Sequence, residues 1–192
     1  MRIIAGTKKG IKLKMVPGRH VRPTSSRVKE SIFQILGPYF EGGMALDLFA
    51  GSGQIGLEGL SRGLDYVIFV DHSVKSIQTI RQNIRLAHME AKASVIKMNA
   101  LAACRLLGKK KQKMDYIFVD PPYGQKFLLP VLQEISNQHL LTSFGKVVVE
   151  CANDETIPAE VGKLIREFQR SYGDTCIMIY QQSILGSKEE PN

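Results

Sequence analysis

From about residue 44 to residue 180 the chain alternates short apolar runs with longer segments in which apolar residues recur every three or four positions. That alternation limits the fold more than any other feature, because a strand followed by an amphipathic helix returns to its sheet as a parallel neighbour. The apolar runs predict strands over 44–49, 66–70, 94–98, 116–119, 146–150 and 175–180. The segments between them predict helices over 53–62, 73–88, 101–107, 127–141 and 157–168. In the second of these, Val74, Ile77, Ile80 and Ile84 fall on one face. The expected class is α/β, a mostly parallel sheet with helices on both faces.

The residues before this region follow a different pattern. Residues 2–5 and 11–16 are β-prone runs separated by Gly6 and Gly10, which predicts a β-hairpin. Its second run alternates apolar and basic residues, so Lys12 and Lys14 share a face. Thr24 or Ser25 is placed to cap a helix bearing Val28, Ile32, Ile35, Leu36 and Tyr39, which Gly37-Pro38 ends. The expected organisation is a hairpin-and-helix extension over 1–40, a main domain over 41–184 and a polar, frayed tail over 185–192. Residues 1–30 hold nine Lys or Arg and one acid, whereas residues 31–192 hold 17 of each. The whole excess of positive charge therefore sits in the extension, where it attracts polyanions through phosphate contacts and counterion release. The lysines of the 109–113 run read as a solvated loop.

Composition excludes several classes. With 44% hydrophobic and 23% charged residues the chain is that of an ordinary globular protein. No run approaches the roughly 18 apolar residues of a membrane span, and the opening MRIIAGTKKG lacks a signal-peptide core. A cytoplasmic location is expected. Cys104, Cys151 and Cys176 form no close pair and the four histidines are scattered, so neither a metal site nor a disulfide framework is expected. No apolar stripe is left over once the core is assigned, which predicts a monomer.

The segment Asp47-Leu-Phe-Ala-Gly51-Ser-Gly53-Gln-Ile-Gly56 joins the first strand of the sheet to its helix and contains G-x-G-x-x-G. Gly51 permits the tight turn, Gly53 lets backbone approach a ligand, and Gly56 lets helix and strand pack. Asp71 ends the next strand, where an acid accepts hydrogen bonds from ribose hydroxyls. Together these describe a site for an adenosine-containing cofactor at the C-terminal ends of parallel strands. The glycine pattern fits a nicotinamide dinucleotide as well as S-adenosylmethionine. Asp47 favours the second, since a carboxylate there attracts the methionine ammonium and repels a pyrophosphate. Asn99, after the third strand, is placed either to meet the adenine edge or to cap a helix.

Asp115-Tyr-Ile-Phe-Val-Asp120-Pro121-Pro122-Tyr123 is the most specific signal. A buried strand runs straight into a carboxylate, two prolines and an aromatic ring. The prolines fix φ and remove N–H donors, so the loop is stiff and rich in acceptors. An exocyclic NH₂ on a base needs such acceptors in its plane, and Asp120 with the Pro121 carbonyl supplies them. Tyr123 offers a stacking face worth about 1–3 kcal/mol. The pattern predicts methyl transfer to an amino nitrogen.

These segments resemble a known family. Arg22-Pro-Thr-x-x-Arg27-Val, the glycine loop continued through Gly56-Leu-Glu-x-Leu-Ser-Arg62-Gly, and Asp120-Pro-Pro-Tyr123 look like the bacterial guanine-N2 methyltransferases of small-subunit ribosomal RNA, over roughly residues 2–182. The resemblance implies the class I methyltransferase fold, Rossmann-like, with a seven-stranded sheet whose last strand is antiparallel. It implies S-adenosyl-L-methionine lying against Asp47, Phe49, Ala50, Gly51, Ser52, Gly53, Asp71, His72, Asn99 and Ala100. Asp120, Pro121, Pro122 and Tyr123 would hold the guanine. The substrate would be 16S rRNA in the small subunit or an assembly intermediate, with Lys12, Lys14, Arg22 and Arg27 on its phosphates. The chain departs from the family pattern at Asn99, usually Asp, and at Lys29, usually Arg. An oxidoreductase explains the glycine loop but not Asp120-Pro-Pro-Tyr123, and a non-catalytic assembly factor has no need of that loop. Adenine or a protein amide as acceptor shares the same core motif.

Overall fold

The computed structural model describes residues 1–18, 26–122 and 127–183, with the side chains of Ser26 and Arg27 outside that description. The expected strand–helix alternation is present through most of the chain. Helix α1 spans Ser26–Leu36, β1 Met44–Leu48, α2 Gln54–Ser61, β2 Tyr66–Asp71, α3 Val74–Ala87, β3 Ala93–Lys97, α4 Ala100–Lys109, β4 Met114–Val119 and α5 Leu128–Asn137. Four strands complete the sheet: β5 Leu141–Ala152, β6 Glu160–Val161, β7 Leu164–Tyr172 and β8 Thr175–Gln182. Their order is β3-β2-β1-β4-β5-β8-β7-β6. Strands β1 to β5 are parallel, and β8 pairs antiparallel with both β5 and β7.

Period-two alternation decides which face each strand residue covers. Leu46, Leu48, Ile68, Val70, Ile117 and Val119 pack with Ala103, Leu107, Val131 and Ile135 of α4 and α5. Ala45, Val67, Phe69 and Phe118 pack on the other face with Ile32 and Phe33 of α1, Leu57 of α2, and Ile80 and Ile84 of α3. Helices α2 and α3 lie on one face and α4 and α5 on the other, so the sheet reverses its direction of growth between β1 and β4. Ligands of open α/β sheets bind at the carboxyl ends of strands beside such a reversal.

Three expectations need correction. The sheet has eight strands rather than seven, because a two-residue strand, β6, pairs along β7. The helix expected over 157–168 is instead a hairpin built from β6 and β7. Its apolar residues do recur at helical spacing, but Gly162 turns at φ +60 and pairing to the edge of β8 satisfies the backbone. The helix expected over 127–141 ends at Asn137, and Leu141 already pairs with Met114. At single positions, Val74 and Tyr39 are exposed, whereas Phe33 is fully buried.

The N-terminal run is a hairpin, although a short one. Arg2 and Lys12 form an antiparallel bridge, with Ile3 N–H donating to the Ile11 carbonyl at 3.0 Å and Leu13 N–H to that of Met1 at 3.0 Å. Ile3 and Leu13 are buried, and Lys12 and Lys14 are exposed. The hairpin docks on a buried charge centre. The Glu58 carboxylate accepts the amides of Ile4 and Ala5 at 2.8 and 3.0 Å. It also meets Lys29 Nζ at 3.3 Å and Arg62 Nε at 2.8 Å. Lys29 in turn donates to the Arg2 carbonyl, and Arg62 to that of Pro38. Burial pulls the Lys29 ammonium below its ordinary pKa, against the pull of Glu58. Lys29 is thus buried within this charge centre, at the foot of the hairpin.

Candidate active site

The carboxyl ends of β1, β2 and β4 each carry an aspartate. Leu48 is in register with both Val70 and Val119, so Asp71 and Asp120 leave the sheet on either side of the loop that follows β1. Neighbouring strands are about 4.8 Å apart. The three acids the sequence singles out therefore surround one crevice.

The loop after β1 is built from left-handed turns. Phe49, Gly51 and Gly53 all have positive φ, at 62°, 56° and 78°. Phe49 is the only non-glycine of the three, and it holds that conformation where the chain leaves the sheet. A side chain at Gly51 would meet no atom nearer than 3.8 Å, so that position opens toward free space. A side chain at Gly56 would run into the Phe69 ring and come within 2.8 Å of Val67, which makes it the packing glycine the motif predicts. Helix α2 starts at Gly53 without a side-chain cap. The positive end of its dipole therefore lies at this loop.

Asp47 and Asp71 brace this loop. Asp47 is buried and its Oδ2 accepts the Gly56 amide at 3.0 Å. Burial pushes its pKa up to about 7; the Gly56 bond opposes the rise, and the charges of Asp120 and Asp71 add to it. Such a carboxylate gains from a cationic neighbour. Asp71, also buried, accepts the Gly51 amide at 2.9 Å and the Ser73 amide at 2.8 Å, and the exposed His72 ring lies 3.7 Å away. Asn99 caps α4, its Oδ1 accepting from Ala102 N–H at 2.8 Å, and Ala100 opens that helix.

On the β4 side, Asp120 is half-buried, Pro121 buried and Pro122 exposed. Tyr123 lies outside the described residues, as do Arg22 and the two residues expected as alternative caps, Thr24 and Ser25; Arg27 is described in its backbone alone. One aromatic escapes the sequence reading: Phe127, seven residues beyond Asp120, has its ring 6.0 Å from that of Phe49. The pair joins the two loops that border the crevice. In the sequence Phe127 marks only a helix start, because ring contacts between distant segments leave no periodic trace.

The predicted basic residues separate into two places. Lys12 and Lys14 are exposed on the docked hairpin, whose backbone is bonded to α3 through Asn83. The exposed lysines at 109, 110, 111 and 113 precede β4, at the opposite end of that strand from Asp120 and roughly 20 Å along it. Lys113 there donates to the His139 carbonyl. Among the described residues no helix is long and apolar enough to cross a membrane, and no group of three or more His, Cys, Asp or Glu is placed to hold a metal.

The comparisons with known proteins agree with this architecture. A family model described as conserved hypothetical protein 95 matches residues 1–181. The YlbH protein of Bacillus subtilis is 42% identical over 182 residues, 95% of this chain and 99% of its own length. The Haemophilus influenzae protein named ribosomal RNA small subunit methyltransferase D is 30% identical, over 94% of this chain and 93% of its own. Among solved structures, the yhhF protein of Escherichia coli superposes with a TM-score of 0.79 at 29% identity, covering 95% of this chain and 97% of its own. The sheet is that of class I methyltransferases, and the chain belongs to the conserved hypothetical protein 95 family, with relatives that are named as ribosomal RNA methyltransferases.

Proposed function

We propose that this protein transfers a methyl group from S-adenosylmethionine to the exocyclic N2 amino group of one guanine in 16S rRNA, on the small ribosomal subunit or an assembly intermediate. The observation that carries the reading is the juxtaposition of the β1 and β4 loops. A buried carboxylate and a glycine turn fit for a cationic cofactor stand one strand away from a stiff, acceptor-rich Asp-Pro-Pro loop.

The residues present fit S-adenosylmethionine. Asp47, about half protonated at pH 7 when alone, would hold the methionine ammonium in its anionic form. Asp71, held by the Gly51 and Ser73 amides, would accept the ribose hydroxyls. Gly51 leaves room for the cofactor against Phe49, Ala50, Ser52 and Gly53. With its oxygen given to Ala102, Asn99 would offer its amide N–H to an acceptor nitrogen of the adenine, with His72 and Ala100 contributing to the same site. The cofactor supplies an electrophilic methyl group on sulfur.

The protein's own task is alignment. An aromatic amine is a weak nucleophile because its lone pair is shared with the ring. Asp120 and the Pro121 carbonyl accept its two N–H bonds, which returns electron density to nitrogen and fixes its approach. Positive charge that grows on nitrogen is stabilised by the same acceptors, and Asp120 takes the proton late or passes it to water. Tyr123 would supply a stacking face for the guanine, which must first be extruded from any helix. Lys12, Lys14, Arg22 and Arg27 would bind rRNA phosphates.

The test is methyl transfer from labelled S-adenosylmethionine to unmodified small subunits, followed by nucleoside analysis. Labelled N2-methylguanine that disappears in Asp120→Ala supports the proposal. Label in methyladenine overturns the acceptor, and absence of label with subunits as substrate overturns the reaction.

A further inference from the structure

One buried polar side chain has no part in the chemistry described so far. Asn83 lies in the third turn of α3 and is fully buried, among Ser76, Ile80, Ile84 and Ala87 on the same face. An asparagine is a poor helix former, and burying its amide without partners costs several kcal/mol. Here the amide is fully engaged, and every partner lies outside α3. Its Oδ1 accepts the Lys14 amide at 2.8 Å. Its Nδ2 donates to the Lys14 carbonyl at 3.0 Å and to the Ser52 carbonyl at 2.8 Å.

Those partners belong to the two segments that matter for binding. Lys14 is in the basic strand of the N-terminal hairpin. Ser52 sits between the two positive-φ glycines of the cofactor loop. The peptide that joins Ser52 to Gly53 is held at both ends, its carbonyl by Asn83 and its N–H by the Ala50 carbonyl at 2.7 Å. Asn83 itself is anchored, because the neighbouring Ile80 and Ile84 are buried against the sheet.

We infer that Asn83 is a positioning residue that couples the basic N-terminal hairpin to the cofactor loop, so that cofactor binding orders the surface that receives RNA. The inference rests on the proposed function for the identity of the two ligands. Bound cofactor settles the loop in one geometry, which fixes the Ser52 carbonyl and with it the Asn83 amide. The same amide then holds the Lys14 backbone, and Lys12 and Lys14 present their charges from a fixed strand. Linkage requires the reverse effect to be equal: RNA on the hairpin must tighten cofactor binding by the same factor. Couplings of this kind are typically about fivefold or more.

The test is amide hydrogen exchange of the full-length protein with and without S-adenosylhomocysteine, paired with small-subunit affinity measured in both conditions. In the parent, S-adenosylhomocysteine should slow exchange across residues 11–14 by about fivefold and tighten subunit binding by a similar factor. Asn83→Ala should abolish both responses, with β1 and β2 amides as protected as in the parent. Lys14→Pro, which removes the N–H that Asn83 accepts together with one phosphate-binding charge and leaves the Ser52 bond intact, should lower subunit affinity and abolish the ligand dependence of both readouts while cofactor affinity stays within about twofold. A purely structural asparagine would alter hairpin exchange equally with and without the ligand. An undiminished ligand response in either variant, a parent hairpin indifferent to the ligand, or failure of S-adenosylhomocysteine to bind overturns the inference. A hairpin that responds through Asn83 in a protein that methylates no subunit upholds the inference and overturns the proposed substrate.

Discussion

Replacing Glu58 by alanine should remove the anchor of the N-terminal hairpin. The carboxylate is fully buried and has four partners: the Lys29 ammonium, the Arg62 guanidinium and the amides of Ile4 and Ala5. Removing one member of a buried ion pair costs about 3–5 kcal/mol, because the other charge stays behind without compensation. Each orphaned amide adds about 1–3 kcal/mol if it stays buried. Three features hold the total down. Arg62 keeps the Pro38 carbonyl at 2.9 Å and the Phe33 ring at 4.7 Å. Lys29, whose pKa burial already lowers, can shed its proton. The hairpin can also lift off and return its amides to water, at the loss of the Ile3 and Leu13 burial, worth roughly 1.5–3 kcal/mol per side chain. The expected net loss is about 4 kcal/mol, a large part of the 5–15 kcal/mol typical of a domain. Urea unfolding followed by circular dichroism, on the parent, Glu58→Ala, Lys29→Met and the double variant, measures it. Lys29→Met should cost less, about 1–2 kcal/mol, since Arg62 and two amides still satisfy Glu58, and the two changes should be strongly non-additive. A loss below about 1 kcal/mol in Glu58→Ala, or simple additivity, would refute the picture of a buried charge centre that holds the hairpin.

Asp47→Asn should change the pH dependence of stability. The folded protein without cofactor keeps a proton on Asp47 up to about pH 7, whereas an unfolded aspartate releases it near 3.8, so parent stability falls as pH rises through that window. The asparagine variant should unfold at higher temperature than the parent at pH 8, lose that advantage at pH 4 and bind S-adenosylmethionine more weakly; identical pH profiles would contradict this. Asn99→Ala should cost about 1 kcal/mol through loss of the α4 cap, whereas Asn99→Asp should hold or raise stability by keeping an acceptor beside the helix N-terminus, both read from urea midpoints. Lys12→Glu combined with Lys14→Glu should weaken RNA binding and flatten its salt dependence by about one unit of slope for each phosphate left without its lysine, with cofactor affinity unchanged by calorimetry. An equal drop in both affinities would sink the assignment of these lysines to phosphates.

The sequence by itself determined the parts of this protein that depend on local pattern. Strand–helix alternation specified β1 to β5 with α2 to α5, because period-two and period-3.6 burial are written along the chain. The glycine loop and Asp120-Pro121-Pro122 were legible for a related reason: positive φ and missing donors are properties of residue types. Pattern failed where pairing outweighed it. Residues 157–168 carry helical spacing, yet Gly162 and the open edge of β8 made a hairpin there. What only the tertiary structure decided is which residues meet across long stretches of chain. Lys29 and Glu58 are 29 positions apart, and Asn83 and Lys14 are 69. The Phe49–Phe127 pair links two loops across neighbouring strands. Nothing in the local sequence marks such residues, since a buried lysine or asparagine looks like a surface one until folding removes the water that would otherwise bond it.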